Sequence, residues 1–291
     1  MNLPTCQGPD PKPKIPKFKL PSKSCDTHAH IFGPILKFPY AKNRQYTPPE
    51  ALLPAYRRVL ETLGIERGVI VHASMLGSDN ASTIYALSQL GHNFRGIAVI
   101  QPDIKPNELL FLTEKGMRGA RVSTYVPGGT QTAELEKLSN RIAEFGWITE
   151  IHLGNVNELV ELAPVLQKLS TPYLIDHLGR VRGSQGKNNP GFQTLLRLMS
   201  DDPKCWVKLS SFYRLSTSGP PNYEDMQPMA LALISICPER IVWGTNWPHP
   251  IFDGPMPNDG ALLDLILEWI PDPTNQQKIF VENPSKLFGF E

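Results

Sequence analysis

The chain has no excess of either charge: 29 Lys and Arg stand against 28 Asp and Glu, a formal net charge of +1. That balance gives no global basic field, so neither nucleic acid nor an anionic membrane surface is an expected partner. No apolar run approaches roughly 18 residues, which excludes a membrane-spanning helix. Cysteine is scarce: Cys6, Cys25, Cys205 and Cys237 are scattered without CxxC spacing, which argues against a disulfide scaffold or a cysteine-rich zinc site. GxSxG, a P-loop and GxGxxG are all missing, against the α/β-hydrolase, nucleoside-triphosphatase and nicotinamide readings. No repeat of about 20–50 residues suggests a solenoid, and the aromatic residues form no base-stacking motif.

What is present suffices for a large core. The chain has 291 residues, of which 41% are hydrophobic and 20% charged, so global disorder is excluded. That length suits one large domain or two smaller ones, and α/β barrels reach it as a single unit. Proline is abundant, with 29 residues, about twice average usage. Residues 1–24 read MNLPTCQGPDPKPKIPKFKLPSKS. Proline and lysine alternate there, without the apolar stretch of a signal peptide. The expectation is an extended arm on the surface of a domain spanning 25–291, in a cytoplasmic protein. A partly mobile tail is the plainer alternative.

From Cys25 onward, short apolar strands alternate with helical stretches. The strands are SCDTHAHIF, GVIVHAS, FRGIAVIQP, MRGARVS, WITEIHLG, TPYLIDHLG, CWVKLSS and IVWGTNWP. Several intervening helices stop at glycine, namely Gly64, Gly91, Gly116 and Gly146, the usual C-terminal signal. Eight such strands predict an α/β fold of the (β/α)8 TIM-barrel type, a single domain behind its arm. A doubly wound open sheet is the second reading.

A barrel keeps its chemistry at the C-terminal strand ends, and the reactive residues fall there. His28 and His30 end the first strand; His72 and Ser74 end the second. Arg121 and Ser123 end the fourth, His152 the fifth, and His177 the sixth. Ser210 and Ser211 end the seventh, with Arg214 just beyond, and Asn246 and His249 follow the eighth. The i, i+2 spacing turns both His28 and His30 to one side of the strand, here the interior, and Asp26 is expected on that face too. A lone strand histidine is more often a hydrogen-bonded core residue. Here His152 and His177 face the pair, which favours a shared site. Four histidines could supply three zinc ligands, with His28, His30 and His152 as the candidate set, and a proton-transfer group. Asp176 is expected to point away from His177 and to anchor the strand from behind. Arg121, Arg180 and Arg214 offer planar forks suited to carboxylates, with a surface ion pair as the alternative for each. Tyr46, Ser74 and Tyr125 are candidate hydroxyl donors to a substrate.

At CDTHAHIFGP, IDHLGR and IVWGTNWPHP the sequence resembles the amidohydrolase superfamily, in the branch of 2-pyrone-4,6-dicarboxylate hydrolase and related lactone hydrolases and isomerases. The resemblance runs from about Cys25 to the C-terminus and implies a distorted (β/α)8 barrel with lactone chemistry. It implies that His28 and His30 polarise a lactone carbonyl. His177 and Arg180 match the IDHLGR motif, and Arg121 and Arg214 match arginines that bind substrate. Tyr46 and Ser74 fall where the branch has substrate-contacting hydroxyls. Three departures stand out. STYVPGGTQT lacks a second arginine, and His152 replaces a tyrosine. Asn246 stands where the motif GTDWPH has its general-base aspartate, and an amide cannot take a proton from water at neutral pH. Either the asparagine was introduced to trap substrate or the chain has drifted natively to another activity.

The reading that follows is a hydrolase of a small carboxylated or polyhydroxylated lactone. The histidines polarise the carbonyl and His28, His30, His177 and Asn246 act at the reacting bond. Tyr46, Ser74, Arg121, Tyr125, His152, Arg180, Arg214 and His249 hold the substrate. The resemblance implies that no cofactor is required, with zinc as the alternative. Two other readings stay open: a lactone isomerase or decarboxylase, and a catalytically impaired barrel that binds a small carboxylate.

Overall fold

Eight runs of alternating or continuous apolar residues become eight parallel strands in a computed structural model that describes residues 3–125 and 132–291. They are β1 (Cys25–Ala29), β2 (Arg67–Val71), β3 (Phe94–Ala98), β4 (Met117–Ser123), β5 (Ile148–His152), β6 (Tyr173–Ile175), β7 (Cys205–Leu209) and β8 (Ile241–Trp243). Their spatial order is their sequence order. Helices fill the connections, as right-handed parallel crossovers require, and the result is a (β/α)8 barrel. The segment after β8 closes the ring: Asn246 N–H donates to His28 O (2.8 Å) and His30 N–H to Trp247 O (2.8 Å). Gly244 permits that closure, since a Cβ there would lie 2.7 Å from both Cβ and N of His28. Among the described residues no helix is long and apolar enough to cross a membrane.

The helix stops read from glycine hold. Gly64 ends the helix Leu53–Leu63 in the left-handed region, φ 71°, with its N–H on the last turn's carbonyls; a side chain there would be strained. The arm lies along the helix Asp259–Trp269. Lys14 N–H donates to Asn258 Oδ1 (3.0 Å), Lys17 N–H to Asp264 Oδ1 (2.7 Å), and Asn258 Nδ2 to Asp10 Oδ2 (2.8 Å). The lower barrel interior is apolar, built from Val69, Ile97, Ile148, Leu174, Trp206 and Val242, and the C-terminal Phe288 and Phe290 pack against it.

Asp26 does not share the face of His28. The register between β1 and β2 shifts between Asp26 and Ala29, and such an irregularity breaks the period-2 rule that placed it inside. Its carboxylate is instead a clasp between β1, the end of β8 and the helix Leu53–Leu63. Oδ1 accepts from the N–H groups of His28 (3.0 Å) and Thr245 (2.9 Å), and Oδ2 from Tyr56 Oη (3.0 Å) and Thr245 Oγ1 (2.7 Å). Burial pushes its carboxyl up to about 6, against these hydrogen bonds. A folded-state pKa above the unfolded one contributes stability at low pH that is lost as pH rises through about 6. Asp26→Asn is expected to remove this part of the pH dependence. It also sets an amide nitrogen against donors, at a cost of about 1–3 kcal/mol. Urea midpoints at pH 5 and pH 8 check both expectations.

Candidate active site

The C-terminal mouth of the barrel gathers most of the residues expected there. His30, His152, His177 and Asn246 face one narrow cavity, with Arg121 at its side. Tyr46, Ser74, Tyr125 and Arg214 complete the wall from the loops. The stretch 126–131, where the branch would carry its second arginine, lies outside the described residues. Two larger clefts lie elsewhere, one on the outer wall around Tyr85 and Phe111 and one at the opposite end of the barrel around Arg67 and Arg95. Neither has more than one histidine on its wall.

Three expected residues do not reach this wall. His28 is fully buried beneath it, 4.9 Å from the His30 ring and 4.8 Å from the His177 ring, centroid to centroid. Arg180 stacks its guanidinium 4.0 Å over the Tyr125 ring and donates from Nε to Gly154 O (3.2 Å). Its guanidinium thus packs against Tyr125 behind the wall. His249 is fully buried behind Asn246, with one ring nitrogen 2.7 Å from Tyr213 Oη and the other 3.1 Å from Asp259. Both of its nitrogens are engaged within the protein.

Under the cavity lies a charged floor that the sequence reading missed. Lys208 Nζ is fully buried, 2.7 Å from Glu150 Oε2, 3.0 Å from Asp176 Oδ1 and 2.8 Å from His28 Nδ1. Arg121 adds Nη2 to Asp176 Oδ2 (3.1 Å) and Nε to Glu150 Oε1 (3.5 Å). Two cations thus face two anions. Arg121 serves this floor with one edge, a role beyond the substrate fork expected of it. Asp176 also departs from expectation by pointing inward. β6 ends at Ile175, and His177 takes a positive φ of 53°, so strand alternation no longer separates the two side chains. Glu150 and Lys208 were legible in principle: each stands two residues before an inward residue, His152 and Ser210, and so shares its face.

The floor sets the chemistry of the histidines. Burial lowers the pKa of all four, His30 to about 3 and His28, His152 and His177 well below the usual value. They are neutral imidazoles, and the positive charge comes from Lys208 and Arg121. Each neutral ring has one donor and one acceptor nitrogen. An ammonium has only hydrogens to give, so Lys208 makes His28 Nδ1 an acceptor and places the His28 proton on Nε2. That Nε2 is buried without a hydrogen-bond partner among the described residues. His30 is the opposite case: Nδ1 must donate to Val71 O (2.7 Å), which leaves an acceptor lone pair on Nε2. His177 Nδ1 lies 2.7 Å from Ser210 Oγ. Burial and Asp176 push Glu150 up to about 7, against Lys208 and Arg121. For Asp176 burial is overridden by Lys208 and its neighbours, which hold the carboxyl well below the usual range.

The zinc set His28, His30 and His152 is not brought together. Among the described residues, the group whose ligand atoms lie within 4.8 Å of one another is His28, Asp176 and His177. It fits a divalent cation poorly. Both oxygens of Asp176 already face cations, and His28 Nδ1 faces Lys208. A metal ion would add its charge to a floor whose two carboxylates already face two cations.

The chain is 39% identical to the 4-sulfomuconolactone hydrolase of Hydrogenophaga intermedia, over 98% of this chain and 95% of that one. It is 35% identical to the 2-pyrone-4,6-dicarboxylate hydrolase of Comamonas testosteroni, over 95% and 93%. An Agrobacterium tumefaciens protein solved without ligand superposes with a TM-score of 0.85 at 29% identity, over 95% of this chain and 99% of that one. The model of the amidohydrolase family matches residues 25–290, and with relatives of this similarity along almost the whole length, the chain is an enzyme that belongs to the amidohydrolase family.

Proposed function

We propose that this enzyme hydrolyses a small lactone carrying an anionic group, without a metal ion. The observation that carries the reading is the pair of opposite tautomers, His28 a donor and His30 an acceptor, above a floor charged by Lys208 and Arg121. The lactone carbonyl lies in the field of the two cations and of the His28 Nε2–H dipole beneath the cavity, which stabilise the oxyanion as it develops. Water adds to the carbonyl carbon. His30 Nε2 takes the water proton and the ring C–O bond breaks. The proton passes to the leaving oxygen, giving an open-chain carboxylate. Asn246 holds the water by its amide oxygen. A ring held to about 3 is a weak base at neutral pH, so proton removal limits the rate.

Arg214, at the cavity mouth, is the candidate for the anionic group. The two relatives named above act, by their names, on lactones bearing sulfonate or carboxylates, which supports that choice. The test is a panel of lactones with and without a carboxylate or sulfonate, assayed with and without chelator. Turnover should favour the charged members and be indifferent to chelation. Arg214→Ala should weaken the charged members by about 1.5–3 kcal/mol, one to two decades in affinity, and spare the neutral ones. Equal losses for both would give Arg214 a structural role, and activity lost to chelation would overturn the metal-free reading.

A further inference from the structure

Behind Asn246 runs a chain of three buried side chains that the mechanism above does not use. We infer that Asp259, His249 and Tyr213 form a one-way hydrogen-bond relay. It holds the Asn246 amide with its oxygen, not its nitrogen, toward the substrate cavity. The direction follows from the two ends of the chain. The Asp259 carboxylate only accepts, so His249 Nε2 carries a hydrogen to it across 3.1 Å. Tyr213 Oη, which takes a hydrogen from Asn246 at the far end of the chain, gives its own to His249 Nδ1 at 2.7 Å, so that nitrogen is an acceptor. Burial pushes the Tyr213 phenol up to about 12, so it keeps its hydrogen. Its oxygen then accepts from Asn246 Nδ2 at 2.9 Å. Each link of the chain then carries one hydrogen.

The backbone leaves Asn246 no other freedom. Its N–H is bonded to His28 O and its carbonyl accepts from His249 N–H, both at 2.8 Å, in the left-handed conformation at φ 61°. Asparagine tolerates that region better than most residues. What remains open is the amide flip, which the relay decides. A flipped amide would show water a second donor where an acceptor is needed. Tyr213, His249 and Asp259 are thus positioning residues.

The relay also counts protons. With aspartate at 246, two acceptors, the new carboxylate and His249 Nδ1, would face one phenol hydrogen. The chain closes again if His249 takes up a proton: the imidazolium then donates to Tyr213 Oη, and Tyr213 donates to the carboxylate. The added negative charge is matched by an added positive one.

Imidazole nitrogen NMR tests this without substrate, so its outcome is independent of the proposed lactone hydrolysis. The His249 signals are assigned by their loss in His249→Gln. In the parent protein His249 should be the neutral Nε2–H tautomer, and in Asn246→Asp it should be protonated on both nitrogens at the same pH. An Nδ1–H tautomer in the parent, or a neutral ring in Asn246→Asp, would overturn the relay. A kinetic arm rests on the proposed hydrolysis. Tyr213→Phe should lower kcat about 10–100-fold with KM unchanged, because the amide is freed while the substrate contacts stay. A loss confined to KM, or an unchanged kcat in an active enzyme, would count against it.

Discussion

Asn246→Asp is expected to raise lactone hydrolysis by about 10²–10⁴-fold, the usual contribution of a positioned general base. The asparagine sits at the cavity with its backbone pinned to β1, so an aspartate would present its carboxylate where the amide oxygen now holds water. It would replace a base that is weak because burial holds His30 to about 3. Affinity should change little, since the two side chains are nearly isosteric. The gain should grow as pH rises through the pKa of the new carboxylate and then level off. Rates against pH for both proteins, with one lactone that demonstrably binds, check this. A variant no faster at any pH would remove proton abstraction through position 246 and leave isomerisation or simple binding as the better readings of the site.

Lys208→Met should damage both stability and activity, and a second substitution should separate the two. Removing one partner of a buried ion pair costs about 3–5 kcal/mol, since it leaves a buried charge uncompensated. Here the single variant leaves Glu150 and Asp176 facing only Arg121. The loss depends on pH. Glu150 is already raised to about 7, and losing the ammonium raises it further. A group raised above its unfolded pKa contributes stability at low pH that is lost as pH rises, so the deficit should be larger at pH 8 than at pH 5.5. In Lys208→Met/Glu150→Gln the floor again has one charge of each sign, and most of the stability should return. Activity should not return. Without the ammonium, nothing holds the His28 proton on Nε2, and losing a cation and an N–H dipole aimed at an oxyanion should cost about 10²–10³ in kcat, as loss of one oxyanion donor does. Urea midpoints and kcat for the three proteins test this. A double variant that regains activity together with stability would reduce Lys208 to a structural part.

The barrel was legible in the sequence because its signals are local. Each strand is a short run rich in apolar residues, several helix stops are glycines, and the order of the strands follows their order in the chain. The strand-end histidines were legible for the same reason: in a barrel, the position along a strand says which end a side chain occupies. Alternation failed where the strand stopped being regular. Asp26 was placed inside because β1 was taken as a regular strand, and its register shifts at that residue. Asp176 was placed outside because β6 was extended past Ile175, where the chain turns through a positive φ at His177.

The sequence by itself therefore determined the fold class, the end of the barrel that carries the chemistry, and most of the side chains that face the cavity. Only the tertiary structure decided what those side chains are chemically. Whether a buried imidazole is a donor, an acceptor or a metal ligand depends on what stands against its other nitrogen. For His28 that is a lysine 180 residues away, and for His249 a tyrosine 36 residues back. No local pattern encodes such a contact, because it is set by strands and loops that meet only when the barrel closes.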